Sequence, residues 1–381
     1  MTYLDHNATS PLRPEARVAM QNAFGLAGNP SAIHASGRAA RAVVENAREQ
    51  VAALVNANAN DIVFTSGGSE ANALALWGAV QGAAASAAPI KRLVISAIEH
   101  DSVLKVTEAI AERSELECVL IPANGDGVVE VGELEKHLNS TGRALVAVMA
   151  ANNETGVVQP VAAVASRVHS ANGFLLVDAV QACGKMAINF SALGADYMTL
   201  SAHKFGGPQG AGALVVKASA PFAAQIPGNQ EKGRRGGTEN VISIAGFGAA
   251  AECVVQDEPS QTACLRARFE NALRARFPDV VIFGEASPRI PNTSNFAVPG
   301  IPAETAVIAL DLDGVMVSSG AACSSGKVRQ SHVLEAMGVP GALASCGLRV
   351  SFGWNSNASD IDAALAGLDR LVARVRERKA A

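Results

Sequence analysis

Ser201-Ala202-His203-Lys204-Phe205-Gly206-Gly207 follows the apolar run Tyr197 to Leu200 and opens onto glycines. A lysine at the end of a buried strand carries an ammonium that burial penalises, so its pKa falls and its amine becomes a good nucleophile. The commonest use of such an amine is a Schiff base with a carbonyl compound. A surface lysine in a glycine-rich turn would satisfy the same letters. Asp178 closes the run Phe174-Leu175-Leu176-Val177, with Gln181 three residues on. A carboxylate there either keeps the ring nitrogen of a cofactor protonated or caps the start of a helix. Ser66-Gly67-Gly68-Ser69-Glu70 leaves another apolar run and opens a helix, as a phosphate cradle or an ordinary capped turn would. It lacks the Gly-Lys-Ser/Thr of a P-loop.

A second group of residues could bear on substrate. Glu99-His100 ends the run Leu93 to Ala97, and Asn152-Asn153-Glu154-Thr155-Gly156 ends Leu145 to Ala150. A histidine in such a place is as readily a structural hydrogen-bonding residue as a catalytic one. Cys323 lies in Ser318-Ser319-Gly320-Ala321-Ala322-Cys323-Ser324-Ser325-Gly326-Lys327, among small residues and near a lysine. A thiol kept for packing would sit among larger apolar neighbours, whereas one on a polar loop suits a thiolate nucleophile. Arg349, in Leu348-Arg349-Val350-Ser351-Phe352, either clamps a carboxylate bidentately or makes a surface ion pair.

These residues need a scaffold. Ile62 to Thr65, Leu93 to Ser96, Leu145 to Val148, Leu175 to Val177, Tyr197 to Leu200 and Gly212 to Val216 read as buried strands. Between them run helical stripes such as Val44, Ala47, Val51 and Leu54, or Val161, Val164 and Val168. Strands without polar alternation, separated by helices, imply a mostly parallel sheet covered on both faces, with ligands beyond its carboxyl edge. Ser66 to Ser69, His100, Asp178 and Lys204 all follow such strands and therefore converge. From about Gln256 the pattern changes. A helix with Leu265, Phe269, Leu273 and Phe277 on one face precedes strand-like segments at Val280 to Phe283 and Ser294 to Val298. A last helix begins at Ser359, with Asp362 completing a capping box, and turns Leu365, Leu368 and Val372 inward. The chain is expected to be α/β, with a large domain over 16–255 and a smaller α+β domain from 1–15 plus 256–381. Gly246-Phe247-Gly248-Ala249-Ala250-Ala251 spells a relaxed dinucleotide fingerprint, but inside a helical run, so it is set aside.

Composition narrows the class. With 381 residues, 49% of them hydrophobic and 17% charged, the chain has the make-up of a globular enzyme with more than one core. A net charge of −4 without a large basic block gives no nucleic-acid footprint. The arginines at 370, 374, 376 and 378 with Lys379 read as a solvated last helical turn. The N-terminus shows no secretory pattern and no stretch suits a membrane span. The cysteines at 118, 183, 253, 264, 323 and 346 form neither a disulfide framework nor a zinc site, which points to a reducing cytoplasm. All but Cys323 read as buried and inert, with Cys346 set apart as an exception because it lies close to Arg349.

Taken together, the motifs resemble the cysteine desulfurases of the NifS/IscS type, within the class V aminotransferase group of fold type I pyridoxal-phosphate enzymes. The resemblance runs nearly end to end. It includes Leu4-Asp5-His6-Asn7-Ala8-Thr9, Gly28 to Ser31 with His34 and Gly37-Arg38, Phe64 to Glu70, Asn152 to Gly156, Asp178 to Gln181, Ser201 to Lys204, Gly233 to Asn240 and the Cys323 loop. It implies pyridoxal 5'-phosphate held by Lys204, with His100 stacked on the ring and assisting proton transfer. Asp178 would meet the ring nitrogen, and Gln181 and Asn153 the ring oxygen side. Gly68, Ser69, Ser201 and His203 would hold the phosphate. Thr238 would reach the phosphate of a neighbouring subunit, implying a homodimer. Arg349, with Asn153 beside it, would bind the carboxylate of L-cysteine, and Cys323 would take its sulfur as a persulfide and release alanine. The long Cys323 loop resembles the arrangement in which sulfur passes directly to an iron–sulfur scaffold protein or another acceptor. Cys323 could then contact a cluster or its precursor, with no resident metal site.

Two departures stand out: Gly68-Ser69 where relatives commonly carry Ala-Thr, and Cys346 where a small or hydroxyl residue is expected. A transaminase would not need the Cys323 loop. A silent scaffold would be free to lose Lys204, Asp178 or Cys323, and a nicotinamide dehydrogenase would carry its fingerprint after the first strand.

Overall fold

The computed structural model describes residues 1–138, 142–257, 259–319 and 330–380. Cys323 lies outside the described residues. The chain opens with β1 (Thr2–Tyr3), and its largest sheet then takes β2 (Ile62–Thr65), β3 (Ile90–Ser96), β4 (Glu117–Ile121), β5 (Arg143–Met149), β6 (Phe174–Asp178), β7 (Tyr197–Ser201) and β8 (Gly212–Val216). Their order across the sheet is β2-β8-β7-β6-β5-β3-β4. The pairings among β3 to β7 are parallel, while β8 runs antiparallel to both β7 and β2. Two reversals restore the direction, so β2 points the same way as β7. The turn after β2 therefore opens on the same edge as the turns after β3, β5, β6 and β7.

Both faces of this sheet are dry. Val94, Val146, Val177 and Val215 belong to one buried cluster, and their neighbours Leu93, Leu145, Leu176 and Leu214 to another on the opposite face. Successive side chains alternate in direction along a strand, so apolar runs without polar interruption are what a two-sided core requires. The helix Gly68–Ala84 supplies Ala71, Leu74 and Ala75 to one face. The helix Val241–Gln256 supplies Ile244, Phe247 and Ala251 to the other. The relaxed dinucleotide fingerprint at Gly246 is part of that helix.

The later part of the chain forms β9 (Val281–Ile282), β10 (Thr293–Ala297), β11 (Val315–Met316) and β12 (Gly347–Ser351). β10 is the centre of an antiparallel three-stranded sheet with β9 and β12, and β1 pairs in parallel with β11. Leu4 is packed among Phe269, Phe296, Leu348, Phe352 and Leu365, so the N-terminal residues share the core of the C-terminal elements. The helix Pro259–Arg276 buries Leu265, Phe269 and Leu273, as its spacing predicts.

Two expectations are corrected. The last helix runs Ala358–Ala380, and its capping box is Asn357 with Asp360. Ser359 N donates to Asn357 Oδ1, and Asn357 N donates to Asp360 Oδ2, both at 2.9 Å. Asp362 instead meets Arg268 at the surface. Cys118 and Cys264 are exposed rather than buried, because β4 is a sheet edge and Cys264 sits on the outer side of its helix. Among the described residues, no helix is long and apolar enough to cross a membrane.

Candidate active site

The carboxyl edge of the large sheet encloses a cavity of about 250 Å³. Gly68, Ser69, His100, Asn153, Asp178, Gln181, Ser201, His203 and Lys204 all line it. Arg349 stands behind this wall, Thr238 is exposed and outside it, and Cys323 lies outside the described residues.

Lys204 leaves β7 through a short 3-10 turn at Ala202–Lys204. Its Nζ donates to the backbone oxygens of Asn7 and Ala8 at 2.8 and 2.9 Å. Burial, and then the Arg349 guanidinium, lower its pKa to about 8, against the opposing pull of Asp178 and Asp5. The amine is therefore partly neutral near physiological pH, as a nucleophile or proton carrier must be.

Asp178 ends β6 in register with Met149 on β5 and Thr199 on β7. Its Oδ1 accepts from Val180 N at 3.0 Å, and its Oδ2 from Asn72 Nδ2 at 2.8 Å. Asn72 is held in turn, for Thr199 Oγ1 donates to its Oδ1 at 2.8 Å. The carboxylate is thus oriented by a buried amide and by the local turn together. Glu99, fully buried nearby, accepts from Met149 N at 2.6 Å through Oε1. Burial, then the charge of Asp178, pushes its carboxyl well above the usual range. The neutral form of Glu99 is therefore favoured.

His100 caps the helix Asp101–Ser114, its Nδ1 accepting from Ser102 N at 3.1 Å. It is both the structural cap and a cavity wall. Its pKa is lowered, first by partial desolvation against the cavity wall and then by Lys204, against the opposing pull of Asp178. His203 is pushed down to about 4, first by burial and then by Lys204 and Lys185, so it is neutral at neutral pH. A Cβ on Gly68 would lie 2.8 Å from Val180 Cγ2 and 3.4 Å from Ser201 Cβ. The bare glycine at this helix start keeps the space open, and free backbone N–H groups suit an anion there.

Arg349, in the middle of β12, is buried. Its Nη2 donates to Asp5 Oδ1 at 2.7 Å and its Nη1 to the backbone oxygen of Asn153 at 2.9 Å. Nε is buried with no partner among the described residues. Neither a surface ion pair nor a free bidentate fork describes it: Nε is unpartnered, and Nη1 and Nη2 each keep a second N–H for a further acceptor.

Sequence reading missed three residues here. Asn72 lies three residues after Ser69 on the same helix. Asn7 and Lys185 are buried beneath Gln181: Lys185 Nζ donates to Gln181 Oε1 at 2.5 Å and to Asn7 Oδ1 at 2.8 Å. The spacing of Lys185 four residues after Gln181 is the one signal that could have shown it.

The site matches what known proteins share. A family model described as aminotransferase class-V matches residues 2–364. The chain belongs to the aminotransferase class-V family. It is 40% identical to a cysteine desulfurase of Cereibacter sphaeroides over 381 residues, 98% of this chain and 96% of the relative. The NifS-like protein of Rickettsia africae has a similar structure, with a TM-score of 0.87, 31% identity and coverage of 98% of this chain and 99% of that one. A third, SspA, solved in complex with cysteine, gives a TM-score of 0.81 at 27% identity, covering 92% of this chain and 99% of that one. Within the family the chain groups with the cysteine desulfurases and is a fold type I enzyme dependent on pyridoxal 5'-phosphate.

The residues present fit that cofactor. A lysine of lowered pKa, an oriented carboxylate and a glycine-lined helix start face one cavity.

Proposed function

We propose that this enzyme removes sulfur from L-cysteine, giving L-alanine and a persulfide on Cys323 that is passed to an acceptor protein for iron–sulfur cluster assembly. The observation that carries the reading is the shared cavity of Lys204, Asp178 and His100, with the unpartnered Nε of Arg349 behind it. When bound, pyridoxal phosphate supplies an aldehyde that condenses with amines and a ring that accepts the electron pair left by a departing α-proton.

The chain's own residues do the rest. Lys204 would hold the cofactor and, once displaced by substrate, carry the α-proton, for which a pKa of about 8 is suited. Asp178, fixed by Asn72 and Val180 N, would face the ring nitrogen and keep it protonated. Gly68, Ser69, Ser201 and His203 would hold the phosphate. A neutral His203 would do so as a hydrogen-bond donor rather than a cation. His100, with Nδ1 engaged at the cap, would cover the ring and assist proton transfer. Gln181 and Asn153 would hold the ring oxygen side, and Arg349 Nε the substrate carboxylate. The Cys323 thiolate then attacks the substrate sulfur. An S–S bond forms as the C–S bond breaks, and the C–S electron pair stays with carbon, which becomes the methyl group of alanine.

The reading extends to a homodimer. Thr238 is exposed and away from its own cavity, so its contact would be made in a second copy. Near that segment Gln230 Nε2 reaches Ser31 Oγ at 3.5 Å, and Ile33 is 88% exposed. A face that carries both a polar contact residue and a bare isoleucine suits burial against another chain. Two domains, 16–255 and 1–15 plus 256–381, fit the separate cores of the large and small sheets. The enzyme would act in the cytoplasm.

The test is direct. L-Cysteine and a reductant are added, and sulfide and alanine are measured for the parent and for Cys323→Ser. The variant should keep the cysteine-induced change in cofactor absorbance and release almost no sulfide. Full sulfide release by the variant would remove Cys323 from the reaction.

A further inference from the structure

Lys185 is a buried lysine held by neutral groups. It is 8% exposed, and among the described residues it makes no ion pair. Its Nζ donates to two neutral side-chain oxygens, Gln181 Oε1 at 2.5 Å and Asn7 Oδ1 at 2.8 Å. Burial lowers its pKa well below the usual lysine range, so the amine is held neutral and its two bonds to amides are free to serve a positioning purpose. Gln181 shows one. An amide has a donor end and an acceptor end, and nothing in its shape decides which way it faces. Two contacts fix it together: Lys185 Nζ donates to Oε1 at 2.5 Å, and Nε2 donates one N–H to the Asn7 backbone oxygen, which can only accept, at 2.9 Å, leaving the other N–H for a group in the cavity that Gln181 lines. The same Asn7 oxygen accepts from Lys204 Nζ. Lys185 therefore holds both the amide and the strap against which Lys204 rests.

We propose that Lys185 is a positioning residue that locks Gln181 as a hydrogen-bond donor toward the ring oxygen of bound pyridoxal phosphate. The inference rests on the cofactor reading above and adds to it the element that sets the polarity of this contact. A fixed donor facing the ring oxygen draws electron density from the nitrogen of Lys204, which then holds its proton less tightly. Other charged or titratable groups face the two lysines. They are Asp5, His6 and Arg13 from the N-terminal segment, Asp178 and Cys183 around the end of β6, His203 after β7, His100 after β3 and Arg349 on β12. All of them stay in place in the variants below.

The readout is the pH midpoint of the absorbance change of the bound cofactor, without substrate. Lys185→Met should raise that midpoint by about one unit, the worth of one good hydrogen bond to a charged group. Lys185→Arg should restore it, since the site borders a second cavity of about 410 Å³ that can take the larger side chain. Gln181→Leu should raise the midpoint as Lys185→Met does, and the double variant no further. Lys185→Gln, too short to reach both acceptors, gives the same comparison if Lys185→Met does not fold. An unchanged midpoint in the folded variant overturns the proposal, as do additive shifts in the double variant. A parent with no cofactor absorbance at all would instead overturn the cofactor reading and this proposal together.

Discussion

At the carboxyl edge of the large sheet, the titratable groups Lys204, Lys185 and Asp178 are held by neutral partners. Lys204 rests on two backbone oxygens, Lys185 on two amide oxygens, and Asp178 on one amide and one backbone N–H. At the joints away from that edge, buried arginines are matched to carboxylates. Arg48 meets Glu231 at 2.7 Å, and Arg289 meets Glu270 at 2.7 Å. The contrast follows from what each place must do. An ion pair fixes both charges, so neither partner titrates or accepts a new ligand without a large penalty. Neutral partners orient a group and leave its charge free to change when a ligand arrives. Arg349 stands between the two cases, paired with Asp5 on one nitrogen and unpartnered at Nε.

Breaking the fixed side should have the largest effect. Arg48 and Glu231 also bind the strand beside them, through Ile62 O and Phe64 N, and Glu231 and Lys232 adopt φ of 48° and 57°. Such left-handed backbone in residues with side chains persists only where its surroundings hold it. Glu231→Ala would leave the buried guanidinium with only the half-exposed Glu45 as counter-ion, and urea unfolding should show a loss of about 3 kcal/mol. On the neutral side, Asn72→Ala should cost about 1 kcal/mol in unfolding, where Thr199 Oγ1 loses its acceptor, but lower kcat by about 10- to 100-fold, since it removes a hydrogen bond to a charged group, worth about 1.5–3 kcal/mol. Equal losses in both measurements would make Asn72 a packing residue.

A smaller effect sharpens the comparison further. Capture of pyridoxal phosphate by the cofactor-free enzyme should quicken as pH rises through about 8, because the neutral amine of Lys204 reacts. Arg349 lowers the Lys204 pKa and Asp178 raises it. Arg349→Met should therefore move the midpoint upward and Asp178→Asn downward, each by about one unit. Shifts in the same direction would contradict the electrostatics. The smallest effect is expected at Cys346, which is buried among Ile98, Leu334 and Met337. Cys346→Ala should lose about 1 kcal/mol of stability and leave sulfide release unchanged.

The mostly parallel sheet was legible because its central strands are uninterrupted apolar runs, and much of the cavity because Gly68, Ser69, His100, Asp178 and Lys204 follow such runs. Asn72 and Asn7 were not, since their roles come from partners distant in sequence, and Lys185 offered only its spacing of four from Gln181. Lys185 meets Asn7 across 178 positions, and no local pattern announces that contact. The final helix shows a different limit. Asn357 and Ser359 both suit a cap, and the backbone geometry, rather than residue type, chooses Asn357.

The central claim is that the Lys204 cavity frees the sulfur and Cys323 receives it. Peptide mass spectrometry after brief exposure to L-cysteine and alkylation tests both halves at once. One extra sulfur should appear on the Cys323 peptide of the parent and be absent from Lys204→Ala. Extra sulfur in Lys204→Ala, or on another cysteine in place of Cys323, would contradict it.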